Sequence, residues 1–327
     1  MSSIEAVPLM GRHGPLELLR KLPYTTTTDQ NDKPPLLFLH GAKCSAHDYM
    51  NFLSYFAAHG YPAYSLSIRG HGDSWCKSRL RKLLFTTLFS WAHDTQSALN
   101  CIVASHPDAP PPVLVGHSLG GGALQFMLSH DLLRIGRDSA NGQIPGLILL
   151  GSVPIFGAGL EIVQNIKSVE APDGYPHLWS DRGLVSTAKQ VRQLFFTHDA
   201  DEDTIREWMD MCGTQEESLV AGLFICVPVG TADRVLGALA GVGESSGEKV
   251  DRTRRVLCIA GAEDKLVPPA MVQRNAGVYA AAAADMHLGD EACMMVTVYD
   301  CAHHLMMDVG WESCAQVMLR WLRGDQI

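Results

Sequence analysis

Residues 113–121 read Val-Leu-Val-Gly-His-Ser-Leu-Gly-Gly, and this stretch decides the predicted fold. Its first three residues form a short apolar run that follows three prolines, which is typical of a buried parallel strand. The glycine-rich remainder turns the chain sharply, and residues 119–130 have the composition of a helix. The stretch therefore predicts a strand, a tight turn that carries Ser118, and a helix.

The same alternation of strand and helix recurs on both sides of this turn. Further strands are predicted at 36–40, 62–68, 146–151, 255–260 and 294–299, and further helices at 46–59, 88–104 and 311–323. Strands separated by helices predict βαβ units, and hence an α/β fold with a mostly parallel, doubly wound sheet.

Residues 158–250 break this pattern, because they contain helical stretches and no convincing strand. Four helices are predicted there, at 184–194, 202–212, 216–226 and 231–240. The economical prediction is a core formed by residues 1–157 and 251–327, with a helical cap inserted at 158–250.

Composition limits the class of protein and its partners. The chain has 327 residues, of which 46% are hydrophobic, and a formal net charge of −9, so it can bury a sizeable core and is a poor candidate to bind nucleic acid. Neither a secretory signal nor a membrane span of about 18 uncharged apolar residues is evident. Nine scattered cysteines without a C-x-x-C pair favour a reducing compartment, so we expect a cytoplasmic protein. The oligomeric state stays open.

The segment Gly116-His-Ser-Leu-Gly120 fits the pattern G-x-S-x-G. Between a strand and a helix, this pattern holds a serine on a strained turn, with its hydroxyl exposed above the sheet. The N–H groups at the start of the helix can also face an anion. We therefore predict Ser118 as a nucleophile.

A developing oxyanion needs two N–H donors that are already in position. The backbone N–H of Leu119, directly after the serine, is one candidate. The second donor is expected from His40-Gly-Ala-Lys43, the loop after the first predicted strand, with Ala42 as the first choice and Lys43 as the second.

The serine also needs a base, and the base needs a carboxylate that orients it. His303 and His304 follow the last predicted strand, and Asp264 follows the strand before it, with Glu263 as a neighbouring rival. The other position from which an acid could act, after Leu150, reads Gly-Ser-Val-Pro and has no carboxylate. This absence favours Asp264.

With these residues in order, the chain resembles the α/β-hydrolase superfamily, in its AB-hydrolase-1 branch of capped esterase- and lipase-like enzymes. The resemblance covers nearly all of the chain outside the cap and rests on His40-Gly41, Arg69-Gly-His-Gly-Asp-Ser74, Gly116-His-Ser-Leu-Gly-Gly121, Gly261-Ala-Glu-Asp-Lys-Leu-Val-Pro268 and Ala302-His-His-Leu-Met-Met-Asp308.

The resemblance also carries residue roles. Family members often read Gly-His-x-Leu-x-x-Glu/Asp around the catalytic histidine, so aligning Leu305 and Asp308 selects His303 over His304, although Ala302 replaces the usual glycine. The resemblance implies a Ser118–His303–Asp264 triad that needs no metal or organic cofactor. It also implies that the loop beginning at Arg69 is structural rather than catalytic.

A fold of this kind hosts many reactions. A serine at 118 argues against the haloalkane dehalogenases and epoxide hydrolases that resemble this chain, because those attack through a carboxylate. We expect hydrolysis of a carboxylester, lactone or thioester. The alternatives are an acyltransferase or cyclising enzyme with the same triad, and a ligand receptor with little turnover.

Apolar residues in the predicted cap indicate a small-to-medium lipophilic substrate if some of them face Ser118, although at helical spacing such residues more often form the cap's own core. They are Trp179, Phe195, Phe196, Trp208, Met209, Met211, Leu223 and Phe224.

Overall fold

One eight-stranded sheet forms the centre of the computed structural model, which describes residues 3–24, 33–76, 78, 82, 84–135, 143–169, 185, 187–212, 219–242, 245–246, 249–250 and 253–327. The strands of this sheet and of a separate short hairpin are β1 (Glu5–Met10), β2 (Pro15–Lys21), β3 (Leu36–Leu39), β4 (Ala63–Ser67), β5 (Val113–His117), β6 (Leu147–Leu150), β7 (Ser245–Ser246), β8 (Lys249–Val250), β9 (Val256–Gly261) and β10 (Cys293–Val298). The large sheet has the order β1-β2-β4-β3-β5-β6-β9-β10. All its pairs from β4 to β10 are parallel, which confirms the predicted α/β class.

The antiparallel edge of the sheet was not predicted. The strands β1 and β2 form a hairpin with Glu5 opposite Arg20, and β2 pairs antiparallel with β4. Pro8 and Pro15 fall within these two strands and hide them from a sequence pattern, since proline cannot donate a hydrogen bond to the sheet. Leu18 is nevertheless fully buried, so the hairpin belongs to the core.

Helices cover both faces of the sheet. In chain order they are α1 (Met50–Ala58), α2 (Leu88–Ser105), α3 (Leu119–Ser129), α4 (Gly159–Lys167), α5 (Ala188–Phe195), α6 (Glu202–Cys212), α7 (Leu219–Phe224), α8 (Ala232–Ala238), α9 (Pro269–Asp285) and α10 (Trp311–Arg323). A cluster that includes Phe52 of α1 and Trp321 of α10 fills one face, and a cluster that includes Trp91 of α2 and Tyr279 of α9 fills the other. The two layers fully bury the central strands β3, β4, β5, β6 and β9, so a site on this part of the sheet must use the strand ends and their loops.

Five helices, α4 to α8, occupy the described part of the chain between β6 and β9. The last of them, α8, packs against α3 and α9 and so belongs to the layer of helices that covers one face of the sheet. The predicted absence of strands in residues 158–250 is wrong in one detail, because the two-residue strands β7 and β8 pair there. Among the described residues, no helix has the length and apolarity needed to cross a membrane.

Candidate active site

Ser118 occupies a strained turn at the carboxyl end of β5. Its φ of 51° and ψ of −119° lie in a region that residues other than glycine rarely adopt. The turn brings strand and helix so close that a Cβ on Gly116 would lie 2.6 Å from the Cα of Gly121. The backbone N–H of Ser118 donates to the carbonyl of Leu150 at 3.0 Å, and its carbonyl accepts from Val153 at 3.0 Å. The end of β6 and the segment that follows it therefore hold the turn through both backbone groups of Ser118.

The loop after β3 lies directly against this serine. A Cβ on Gly41 would be 2.8 Å from the Cβ of Ser118, so only glycine permits this approach. His40 supports the loop from inside: its Nε2 accepts from the Ile68 N–H at 3.2 Å, so its Nδ1 carries the proton and donates to the Gly41 carbonyl at 2.8 Å. His40 is thus a buried histidine with both ring nitrogens bonded. Ala42 follows in the same loop, and Lys43 has a φ of 63°.

A buried imidazole–carboxylate pair lies at the same end of the sheet. His303 Nδ1 is 2.8 Å from Asp264 Oδ2, and the two residues are 1% and 3% exposed. The other carboxylate oxygen accepts from the backbone N–H groups of Leu266 and Val267, each at 2.8 Å. Asp264 therefore closes a turn and orients an imidazole at once. The rival carboxylate of Glu263 is about half exposed and lies 3.8 Å from His198.

Gly151 joins the serine turn to this pair. It follows Leu150, whose carbonyl accepts from Ser118, and it has a φ of +46°. A Cβ there would lie 3.1 Å from Asp264 Oδ2 and 3.3 Å from His303 Nδ1. Gly151 is thus the residue directly after β6, where the sequence lacks a carboxylate, and it lies against the His303–Asp264 pair.

Asp308 fixes the loop that carries His303. Its carboxylate accepts from the Ala302 N–H at 2.7 Å and the Val309 N–H at 2.9 Å. It also accepts from the backbone N–H and the hydroxyl of Thr197, at 2.9 and 2.8 Å. In the sequence, Asp308 only helped to distinguish His303 from His304. Its four donors show that it ties the His303 loop to the chain after α5.

Two further buried histidines lie beside the pair: His304, which the sequence offered as the alternative base, and His117, which it gave no role. His117 precedes the serine and His304 follows His303, with ring centroids 4.7 Å from His117 to His303 and 5.3 Å from His117 to His304. Burial, together with the neighbouring imidazole of His303, lowers the pKa of each well below its ordinary value. Both rings are therefore neutral at neutral pH.

Aromatic residues of the inserted helices lie over His304. Phe195 stacks on its ring with centroids 4.9 Å apart, and Phe196 and Trp208 lie at 5.1 and 4.9 Å. The Trp208 indole N–H donates to Asp48 Oδ1 at 2.9 Å, which links α6 to the sheet layer. Burial raises the pKa of Asp48 to about 6.

The remaining apolar residues of the predicted cap differ in exposure. Leu223 is 68% exposed and Met211 40%, while Met209 and Phe224 pack partly against the core; Trp179 lies outside the described residues.

The loop that begins at Arg69 is held by its own ion pair. The Arg69 guanidinium donates to both oxygens of Asp94, at 2.6 and 2.8 Å, and both residues are buried. His71 of the same loop packs beside the rings of His40 and Trp91, with centroids at 4.8 and 6.2 Å. These contacts hold the Arg69 loop in place behind His40.

Taken together, the turns at Ser118, the Gly41–Ala42 loop and the His303–Asp264 pair meet at the carboxyl ends of β3, β5, β6, β9 and β10. This is the edge of a parallel sheet where ligands bind. Sequence reasoning missed Gly151 and His117, and it used Asp308 only to select His303. The only signal for Gly151 in the sequence is a glycine directly after a predicted strand, where a positive φ can be required.

The comparisons with known proteins agree with this architecture. A family model described as the alpha/beta hydrolase family matches residues 36–317. A non-heme chloroperoxidase of Streptomyces lividans is 25% identical over 241 residues, which are 72% of this chain and 76% of that protein.

Solved structures share the fold at low sequence identity. An esterase from Thermogutta terrifontis superposes with a TM-score of 0.62 at 15% identity over 99% of each chain. A soluble variant of monoglyceride lipase from Saccharomyces cerevisiae does so with a TM-score of 0.62 at 13% identity, covering 98% of this chain and 96% of that one. Because the family model spans most of the sequence, the chain belongs to the alpha/beta hydrolase family.

Proposed function

We propose that the protein hydrolyses a carboxylester, lactone or thioester of a small-to-medium lipophilic substrate. Ser118 attacks the carbonyl carbon, and His303 accepts the serine proton and returns it to the leaving alcohol or thiol. Water activated by His303 then cleaves the acyl-enzyme and releases the acid. The observation that carries this proposal is the strained Ser118 turn beside a buried His303–Asp264 hydrogen bond.

The tautomer of His303 supports its role as the base. An ionised carboxylate only accepts hydrogen bonds, so the imidazole donates its Nδ1–H to Asp264. The lone pair then lies on Nε2, which is the nitrogen that takes a proton from a serine. Because Asp264 is fixed by the Leu266 and Val267 N–H groups, the imidazole has a fixed partner.

Two backbone N–H groups are proposed to stabilise the oxyanion. Leu119 begins α3, so its N–H belongs to the positive end of a helix. Ala42 follows Gly41, which touches Ser118, and is the proposed second donor, with Lys43 as the alternative. Each such donor contributes about 3–4 kcal/mol to the transition state in related sites.

Residues 158–250 are proposed to supply a cap that selects the substrate, with their last helix, α8, packed on the core. Phe195, Phe196 and Trp208 pack around His304 beside the proposed base, so an apolar wall borders the reacting centre. Esterases and a lipase are among the structural neighbours, which agrees with an ester substrate. The cytoplasmic location that the cysteines predict is part of the same proposal.

Turnover of p-nitrophenyl esters of graded chain length tests this function. We expect the wild type to hydrolyse butyrate to octanoate esters and the Ser118→Ala variant to lose at least about 10³-fold in kcat/KM, since the nucleophile is gone. A preference for an amino-acid amide over the butyrate ester would contradict the lipophilic substrate class.

Added alcohols separate hydrolysis from acyl transfer. If most of the acyl group passes to a millimolar alcohol in water, the chain is an acyltransferase with the same triad. If wild type and Ser118→Ala release nitrophenol equally, the chain is not a serine hydrolase, and a receptor without turnover becomes the better interpretation.

A further inference from the structure

A second cluster of reactive side chains lies directly behind the candidate active site. Cys44, His117 and His304 are all buried, and one ligand atom from each lies within 4.8 Å of the other two. Each comes from a different catalytic segment: Cys44 follows the Gly41–Ala42 loop, and His117 and His304 are the chain neighbours of Ser118 and His303. No part of the proposed hydrolysis uses them.

The hydrogen bonding of His117 leaves one of its nitrogens ready to bind a ligand. Its Nε2 lies 2.9 Å from the His303 carbonyl oxygen, which can only accept, so Nε2 carries the proton. The lone pair is therefore on Nδ1, which is buried and has no hydrogen-bond partner among the described residues. A metal-bound histidine usually donates its second N–H to a carbonyl in this way.

Gly41 keeps the space beside that nitrogen open. A Cβ on Gly41 would lie 2.9 Å from His117 Nδ1. The glycine that permits close approach to Ser118 therefore also exposes the lone pair of His117 toward the loop that leads to Cys44.

His304 gives the stronger indication that this cluster binds a ligand. It is fully buried, and neither Nδ1 nor Nε2 has a hydrogen-bond partner within the described part of the chain. A buried polar group without a partner costs about 1–3 kcal/mol, so such groups are rare and need an explanation. The rings of Phe195, Phe196 and Trp208 enclose the imidazole and supply no acceptor at its face.

We propose that Cys44, His117 and His304 bind one Zn²⁺ ion, with water at the fourth position. Thiolate and imidazole are the ligands that zinc prefers, at about 2.3 Å for sulfur and 2.0–2.1 Å for nitrogen. A tetrahedral ion spaces such ligand atoms about 3.3–3.6 Å apart, so the present cluster needs to contract by at most about 1.5 Å. On binding, the Cys44 thiol gives its proton to solvent and a zinc–sulfur bond forms.

Zinc at this position would connect three segments that meet at the reacting centre. Ligation draws His117 and His304 toward the loop after β3, and both adjoin proposed catalytic residues. We therefore expect occupancy to slow ester turnover; this consequence alone rests on the proposed function.

Direct metal binding tests the site without any measurement of activity. The chain, first treated with a chelator and a thiol reductant, is titrated with Zn²⁺ against a chromogenic zinc indicator. We expect one tightly bound ion per chain, one proton released per ion in weakly buffered solution, and a higher melting temperature with zinc. With Co²⁺ as the probe, a thiolate-to-cobalt charge-transfer band should appear in the near ultraviolet.

Variants identify the ligands. Cys44→Ser and His304→Phe should each weaken zinc binding about 100-fold or more. The matched controls Cys314→Ala, a buried cysteine elsewhere, and His47→Gln should leave it unchanged. If His304→Phe fails to fold, Cys44→Ser and the cobalt spectrum still decide the question.

Three outcomes would overturn the site. They are no stoichiometric zinc binding by the folded chain, binding that survives Cys44→Ser, and a cobalt complex without the thiolate band. In those cases a buried water between the three side chains accounts for the cluster. Ester turnover without any zinc binding would contradict the zinc site alone. Zinc binding without ester turnover would contradict the proposed function alone.

Discussion

Replacement of Asp264 by asparagine is the substitution that best separates its two roles. Asp264 Oδ1 accepts from two backbone N–H groups, and the amide oxygen of asparagine can keep both contacts. The other oxygen, 2.8 Å from His303 Nδ1, becomes an NH₂ group that donates. We therefore expect Asp264→Asn to fold, with a change of less than about 2 kcal/mol in the free energy of unfolding.

Its effect on catalysis should be far larger. With a donor at position 264, His303 Nδ1 must accept, so the ring proton moves to Nε2 and the imidazole cannot take the proton of Ser118. An equivalent tautomer change in serine proteases lowers kcat about 10⁴-fold, which corresponds to about 5.4 kcal/mol in the activation barrier. The 2.8 Å contact between His303 Nδ1 and Asp264 Oδ2 is of the same kind, so we expect a loss of that order.

The assay is kcat for a p-nitrophenyl ester, with urea unfolding as the measure of fold. Glu263→Gln is the matched control, because this adjacent carboxylate is about half exposed and should leave turnover within about twofold. The reasoning is refuted if Asp264→Asn keeps more than a tenth of wild-type turnover, or if Glu263→Gln is equally damaging.

Three further predictions concern the surroundings of the site. Gly151→Ala should lower ester turnover at least about tenfold, because its Cβ would lie only 3.1 and 3.3 Å from the Asp264 carboxylate and the His303 imidazole. The control Gly237→Ala, whose Cβ meets nothing within 4 Å, should leave turnover unchanged, and equal rates in the two variants would contradict this prediction. Asp308→Ala should reduce the free energy of unfolding in urea by at least about 3 kcal/mol because four donors lose their acceptor, and a loss under 1 kcal/mol would be inconsistent with that count. The raised pKa of Asp48, about 6 against 3.8 in the unfolded chain, means that the native state holds this proton more tightly, so its stabilisation is complete below pH 3.8 and is lost as pH rises through 6. Relative to Asp48→Asn, the wild type should lose about 1 kcal/mol in the free energy of urea unfolding between pH 5 and pH 7, and a gain over that range would contradict this sign.

Strands and helices whose apolar residues follow a clear pattern could be predicted from the sequence. Buried runs such as Val113–His117 stand out because both faces of a parallel strand are apolar. The hairpin Glu5–Met10 and Pro15–Lys21 was missed because its prolines and charged residues break any period of two. Its burial depends on contact with Ala63–Ser67, which lies far along the chain.

The site residues also divide into those that the sequence reveals and those that only the structure reveals. Ser118 could be chosen because its motif is local, and the strained backbone there agrees with the motif. Gly151 and the bridging role of Asp308 could not be predicted, because both depend on contacts with residues more than a hundred positions away, such as His303 and Thr197. The cluster of Cys44, His117 and His304 has no characteristic spacing in the sequence and emerges only in three dimensions.

Covalent labelling of Ser118 tests the central claim most directly. A fluorophosphonate should react with the folded chain at one site, and peptide mass spectrometry should find the adduct on the peptide that contains Ser118. Asp264→Asn should slow the labelling strongly, and Ser118→Ala should abolish it. Labelling at another residue, or none under conditions in which the wild type turns over an ester, would contradict the assignment of Ser118 as the nucleophile.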